Sequence, residues 1–285
     1  MDASEVPRAV AAASVTAAGL GLAVDQAVVV HDSNRIAVRL RPCEVLARVA
    51  HAGDRAAPFE VELAQRLAET DSPVAPLDPR VEARVYELDG FAVTLWTYEA
   101  QAPEGVSPGD YARALERLHD GMRWLDLTTP HFTDRLAEAL DIVEHPDRSP
   151  EVDDADRELI SSALHRQAHA IHDRAPAEQH LHGEPHPGNL INARSGPLFI
   201  DIETCCRGPV EFDLAHVPEA VSERYPDVDH ALLGECRGLV LAMVAAWRCD
   251  RHDQLPSRER ALRDLLDALR AGPPWPALTS LMPST

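Results

Sequence analysis

The sequence predicts an α+β fold in two lobes, a small antiparallel-sheet lobe over residues 1–97 and a larger, mainly helical lobe over residues 98–285. Three observations predict it. Apolar and alternating runs with the period of strands fill the stretch from Val24 to Trp96. Helical periodicity dominates after Ser107. Between the helices, His180 to Asp213 is rich in His, Gly, Pro and acid and carries one short apolar strand. A chain of 285 residues can bury a large core, as one large domain or as two lobes.

Residues 1–23 are Ala-rich with weak periodicity, which fits a helix or a loose leader. The segment has no basic n-region, carries Asp2 and Glu5, and lacks a signal-peptide layout, so the expected location is cytoplasmic. No uncharged apolar run approaches the ~20 residues that span a bilayer. Ala27–Val30, Ile36–Leu40 and Val45–Val49 read as strands, with a hairpin turn at Asp32-Ser33-Asn34. Pro58 opens a helix that runs to Glu69 and places Glu60, Ala64 and Leu67 on one face. Pro73 and Pro76 break the chain. Val81–Leu88 and Phe91–Trp96 then form a hairpin around Asp89-Gly90, a strong two-residue turn signal.

Beyond residue 97 the pattern turns helical. Ser107-Pro108-Gly109-Asp110 is a helix start, with a Ser cap, Pro at the first position and Asp at the third. Helical segments follow at residues 131–144, 150–173, 230–250 and 257–272.

Composition excludes some classes. A net charge of −20 argues against a general nucleic-acid binder, which needs a basic face. It suits a cationic ligand drawn in by the protein's field, and it serves solubility equally well. Five cysteines at irregular spacing argue against a disulfide framework, and the vicinal pair Cys205-Cys206 reads as small apolar filler. The chain contains no lysine, so all 27 basic residues are arginine.

The chemistry concentrates in His180–Asp213. His182-Gly183-Glu184 is followed by Asn189 five residues after the Glu, within HGEPHPGN. Pro197-Leu198-Phe199-Ile200 then delivers Asp201, and Arg207 to Leu214, RGPVEFDL, closes the segment. Metal-assisted phosphoryl transfer suits this spacing. It needs a carboxylate to orient or deprotonate a hydroxyl, and hard oxygen ligands for Mg²⁺. Glu184 offers the base, and Asn189 and Asp201 the two metal ligands. Protein kinases use the same plan, an Asp-x4-Asn loop and then a strand-end Asp.

HGEPHPGNL, FIDIE and RGPVEFDLA together resemble the aminoglycoside phosphotransferase family, small-molecule kinases with a two-lobed, protein-kinase-like fold. The resemblance is specific from His182 to Ala215 and covers most of the chain in block order. It implies an ATP- or GTP-dependent transfer of the γ-phosphoryl group to a hydroxyl of a small molecule, with Mg²⁺. By family order Arg48, near the end of a strand in VLARVA, takes the place of the phosphate-holding Lys of the third strand. Glu60, seven residues before Leu67, orients it through an ion pair, with Glu62 the alternative. Thr97–Gln101 takes the place of the hinge that meets the adenine ring. His182 and Asp213 are scaffold, and Glu203 is a further candidate metal contact. The family phosphorylates aminoglycosides, choline-like amines, homoserine and sugars, and no motif here selects among them or fixes an oligomeric state.

The chain departs from the family pattern twice. The usual loop is HGD-x-H-x-x-N, and here Glu184 replaces the Asp. No lysine exists, and arginine is not interchangeable with it at a phosphate site. Both departures motivate an alternative, a kinase-like nucleotide binder without turnover. A second alternative, a zinc hydrolase using His180, His182 and His186, leaves the Pro-Gly-Asn turn and Asp201 unexplained and lacks an H-E-x-x-H helix.

Overall fold

The computed structural model describes residues 1, 4–32 and 35–282. Ser33 and Asn34 of the expected Asp32-Ser33-Asn34 turn lie outside the described residues. The chain divides into two compact units, the first made of Met1–Gly105 with Ile191–Glu203, the second of Val106–Leu190 with Thr204–Thr285. The fold class is α+β: one unit is built on an antiparallel sheet, the other on helices.

In the first unit α1 (Val6–Gly19) resolves the alternative left open for the N-terminal stretch as a helix. Its alanines at 9, 12, 13 and 17 recur at helical spacing and pack on the sheet with Ile36, Val38, Leu40, Val45, Ala47 and Val49. Small side chains let the helix lie close to the strands. The sheet has the order β1 (Val24–Asp32), β2 (Ile36–Pro42), β3 (Val45–His51), β5 (Phe91–Thr97), β4 (Tyr86–Leu88), with every pair antiparallel. Strict alternation on β3 buries Val45, Ala47 and Val49 in this core, so Leu46 and Arg48 point to the other face. The Asp89-Gly90 turn between β4 and β5 holds φ of +52° and +84°, the left-handed pair that a tight two-residue hairpin demands.

Two sequence expectations are corrected here. The helix expected to open at Pro58, α2 (Ala56–Leu67), begins two residues earlier, where Ala56 N–H donates to the Asp54 carboxylate at 2.8 Å. Pro58 then sits within the first turn, where its missing N–H costs nothing. The strand expected over Val81–Leu88 shrinks to Tyr86–Leu88. Asp78 accepts from the Arg80 backbone and guanidinium and ties residues 78–80 into a turn, and the Tyr86 hydroxyl donates to Glu82 O, which keeps 81–85 off the ladder.

The second unit opens with α3 (Pro108–Met122), capped by Ser107, whose hydroxyl accepts from Asp110 N–H at 3.1 Å. A capping box formed by His131 and Asp134 starts α4 (Phe132–Glu144), and Asp153 caps α5 (Asp154–Asp173). β6 (Gln179–Leu181) pairs antiparallel with β9 (Cys206–Gly208). Between them in sequence lie β7 (Leu190–Ala193) and β8 (Gly196–Phe199), a separate two-stranded ladder almost wholly within the first unit. Then follow α6 (Val210–Leu214), α7 (Glu219–Ser222), α8 (His230–Cys249) and α9 (Arg258–Ala271). α8 is long and apolar enough to cross a membrane, but it is the central helix of this unit, packed by α4, α5, α6 and α9.

Candidate active site

In the first unit the predicted residues Arg48, Glu60 and Asp201 come together. Arg48 stands on the face of β3 away from the α1 core, and its Nη1 pairs with Glu60 of α2, a residue 1% exposed. Its Nη2 reaches Asp201 Oδ1 at 2.5 Å and Glu203 Oε2 at 3.3 Å. Asp201 follows β8, which is held in place where Phe199 N–H donates to Pro73 O and Phe199 O accepts from Ala75 N–H. Its φ of +58° is left-handed, a conformation that costs a non-Gly residue roughly 1–2 kcal/mol and that Asp, like Asn, tolerates better than most side chains do. That turn carries the carboxylate to the guanidinium.

Sequence reasoning missed Arg35, which precedes β2 and carries no motif. Its Nε donates to Asp54 Oδ2 at 2.9 Å, and its Nη1 pairs with Glu60 at 3.4 Å and with Glu203. Four carboxylates thus surround two guanidinium groups. Carboxylate oxygens of Glu60, Asp201 and Glu203 all lie within 4.8 Å of one another, the one such grouping of three metal-ligating side chains among the described residues. Burial, together with the Glu203 and Asp201 charges, overrides Arg48 and Arg35 and pushes the Glu60 carboxyl up to about 7. Burial also raises Glu203, with Asp201 and Asp54 adding to it against the two arginines. An all-oxygen, acid-rich donor set suits a hard cation such as Mg²⁺ and lacks the Cys and His ligands typical of zinc sites.

In the second unit the HGEPHPGN loop is built around Asp213 of α6. Its carboxylate, fully buried, accepts from His182 N–H at 2.9 Å, from Gly183 N–H at 2.8 Å and from His119 Nε2–H at 2.9 Å. His119 Nδ1 in turn meets the Tyr225 hydroxyl at 2.8 Å. Burial works to raise the Asp213 carboxyl, but the His119 hydrogen bond and the charges of His119, His182 and His216 hold it below the usual range. Gly183 has φ +93°, and a Cβ there would lie 2.1 Å from Thr204 O, so only Gly fits. Asn189 Nδ2–H donates to Glu184 O at 3.0 Å across the Pro187–Asn189 turn, and Asn189 N–H donates to His186 O. Asp213 thus holds the backbone of the loop at His182 and Gly183.

The Glu184 side chain meets a residue that sequence reasoning did not find. Arg135 of α4 pairs with its carboxylate, and Arg135 lies over the Trp247 ring at 5.1 Å. Burial acts to raise the Glu184 carboxyl, but Arg135 first, then His216 and His186, hold it below the usual range. His216 is 3% exposed, neither ring nitrogen has a hydrogen-bond partner, and burial depresses its pKa to about 4. The three histidines of the zinc alternative are spent on local structure. His180 Nε2–H donates to Leu127 O, His182 meets Thr204, and His186 Nδ1 accepts from Gly188 N–H.

A phosphotransferase enzyme family, APH, matches residues 25–233 of the chain. Comparison with curated sequences gives no match. Among solved structures, the chain is similar to an amicoumacin kinase, hAmiN, in complex with AMP-PNP, Ca²⁺ and Ami, with a TM-score of 0.68 at 12% identity over 99% of this chain and 100% of that one. It is similar to the choline kinase LicA of Streptococcus pneumoniae, with a TM-score of 0.67 at 14% identity, covering 91% and 98%. The GDP complex of aminoglycoside 2'-phosphotransferase-IIIa gives a TM-score of 0.62 at 12% identity, covering 90% of each chain. At these identities the likeness establishes the protein-kinase-like fold of this group.

Proposed function

The chain belongs to the APH phosphotransferase enzyme family and is a small-molecule kinase, and from that premise we propose how its own residues divide the work. It moves the γ-phosphoryl group of ATP, or of GTP, to a hydroxyl of a small acceptor. Glu184 orients that hydroxyl and takes its proton. Asp201 and Asn189 would hold Mg²⁺, which would supply charge stabilisation to the transferring phosphoryl group, with Glu203 a further oxygen near Asp201. Arg48 holds the nucleotide phosphates, with Glu60 orienting its guanidinium. The acidity of the chain favours a small acceptor, amine-bearing ones included, over nucleic acid. A cytoplasmic location belongs to the same reading.

One observation supports this reading most. The Arg48 guanidinium joins Glu60 on α2 to Asp201 after β8, so a phosphate-binding cation and a hard metal ligand share one cluster. The transition state of phosphoryl transfer is loose, so positioning and charge stabilisation matter more than base strength. An ionised, firmly placed Glu184 suits that requirement.

The competing reading is a nucleotide binder without turnover. The pairing of Glu184 with Arg135 favours it, because a neutralised carboxylate is a weaker base. A thermal-shift series with ATP or GTP, with and without Mg²⁺, followed by turnover assays on amine, sugar and hydroxy-acid acceptors, separates the two. Mg²⁺-dependent nucleotide stabilisation with turnover of one acceptor supports the kinase. Stabilisation without turnover of any acceptor supports the binder, and no nucleotide effect refutes both.

A further inference from the structure

The Glu184 side chain is one methylene longer than the Asp of the family's usual loop. Left free, the added torsion spreads the carboxylate over several staggered rotamers, and a misplacement of only about 1 Å can cost on the order of 10²-fold in rate. The loop fixes only the backbone of this residue. Glu184 O accepts from His186 N–H at 2.8 Å and from Asn189 Nδ2–H at 3.0 Å. The carboxylate is held from a different element, by Arg135 of α4.

Arg135 has the features of a residue kept for one purpose. Its guanidinium lies over Trp247 of α8, which fixes its plane. Nη2 serves Glu184, while Nη1 is buried with no acceptor, close beside Gly183. A buried, unpaired donor is unfavourable. The structure tolerates that cost where the guanidinium can reach Glu184.

We propose that Arg135 is the positioning residue of Glu184: its guanidinium, seated on Trp247 and meeting the carboxylate through Nη2, sets the carboxylate where the shorter side chain of the family would stand unaided. The inference rests on the kinase reading for its kinetic consequence but not for its structural one. Lysine at 135 would keep the charge and lose the plane.

The test uses the full-length protein with Arg135→Gln, Arg135→Lys and Glu184→Asp, alone and combined. With an acceptor that the wild type turns over, Arg135→Gln should lower kcat by about 10- to 100-fold with nucleotide KM unchanged. Arg135→Lys should recover part of the loss. In the Arg135→Gln background, Glu184→Asp should cost several-fold less than in the wild type, because the carboxylate is already misplaced. A kcat for Arg135→Gln equal to wild type, or fully multiplicative losses in the double variant, would overturn the proposal. A second measurement needs no turnover. The carboxyl ¹³C resonance of Glu184 should be single and sharp in the wild type and should shift or broaden in Arg135→Gln. An unchanged resonance overturns the proposal. A changed resonance in a protein that turns over no acceptor upholds the clamp and instead sinks the kinase reading.

Discussion

Replacing His216 tests how far burial governs the helical unit. The imidazole is buried, neither nitrogen is paired, and its pKa falls from 6.5 to about 4. Above pH 7 it is neutral whether the chain is folded or unfolded, and its titration contributes nothing. As pH falls below 6.5 the unfolded chain takes up a proton that the folded protein refuses until about pH 4. Stability attributable to this group is therefore lost as pH drops through that window, with a slope of up to about 1.4 kcal/mol per pH unit and about 3 kcal/mol in all. Between pH 7.5 and 5.0 the loss is about 2 kcal/mol. Urea unfolding of wild type, His216→Phe and His216→Leu across this range measures it, with two probes checking for a single transition. Packing changes at 216 shift each curve by an offset that does not vary with pH, so the slope carries the result. Glu60, raised from 4.5 to about 7, works in the opposite direction, because its folded form holds its proton longer and stability falls as pH rises through that range. It is the same in all three proteins and cancels in the difference. Asp213 and Glu184, both depressed, lose their contribution only below the ordinary carboxylate range, outside the window. Both variants should lose about 2 kcal/mol less than wild type on going to pH 5.0. Parallel curves for all three would refute the reasoning.

Three further outcomes follow from the kinase reading. Asp201→Ala should leave the melting temperature of the free protein within a few degrees of wild type and abolish the Mg²⁺-dependent part of the nucleotide shift; retention of the full shift would remove Asp201 from the metal. Glu184→Gln should lower kcat by about 10²- to 10⁴-fold, the usual worth of a placed general base, and Glu184→Asp by less, both with little change in nucleotide KM; a Gln variant with wild-type turnover would exclude Glu184 from the reaction. For an amine-bearing acceptor, KM should rise with salt, since steering by the −20 net charge is screened over about 8–10 Å; a KM flat with ionic strength would leave that acidity to solubility.

How much was legible depended on whether the signal was local. β2, β3 and β5 were readable because one face of each buries apolar residues at a period of two, and the Asp89-Gly90 turn because its backbone needs φ above zero. The Ser107 cap was readable because its hydrogen bond lies within one helical turn. Glu60 and Arg48 were found by family order, and their pairing is consistent with Glu60 lying on the apolar face of α2, where a lone carboxylate would be costly. Arg135 was not legible. On α4 it looks like one more surface arginine, and only the packing of α4 on α8 brings it to Trp247 and Glu184, 49 residues along the chain. Arg35 is hidden in the same way, its partners lying 19 to 168 residues away. His119 has no motif, and only the tertiary structure takes it to Asp213. The 81–85 segment misled because its composition suits a strand while the Asp78–Arg80 turn diverts its backbone.

The absence of lysine gives the sharpest test of the phosphate role proposed for Arg48. An ammonium is a point charge with three donors, whereas a guanidinium is a planar fork with five. Arg48 uses that fork. Nη1 is committed to Glu60, while Nη2 faces Asp201 and Glu203. Burial lowers its proton affinity, but the charges of Glu60, Asp201 and Glu203 more than offset this, so the group stays charged. A lysine at 48 would have to meet Glu60 and a phosphate from a single nitrogen, without the two fixed directions of the guanidinium fork. If Arg48 holds the nucleotide phosphates as proposed, Arg48→Ala removes a charge-assisted contact worth about 1.5–3 kcal/mol, which corresponds to roughly a 10- to 100-fold rise in nucleotide KM. Arg48→Lys keeps the charge and should still lie nearer to Arg48→Ala than to wild type. Glu60→Gln should have a smaller effect, since Asp201 and Glu203 continue to orient the fork. If Arg48→Lys binds nucleotide as well as wild type, the planar geometry is irrelevant and the charge alone accounts for Arg48. If Arg48→Ala does so, the phosphates are held elsewhere, and Arg35, which shares Glu60 and Glu203 with it, becomes the group to replace next.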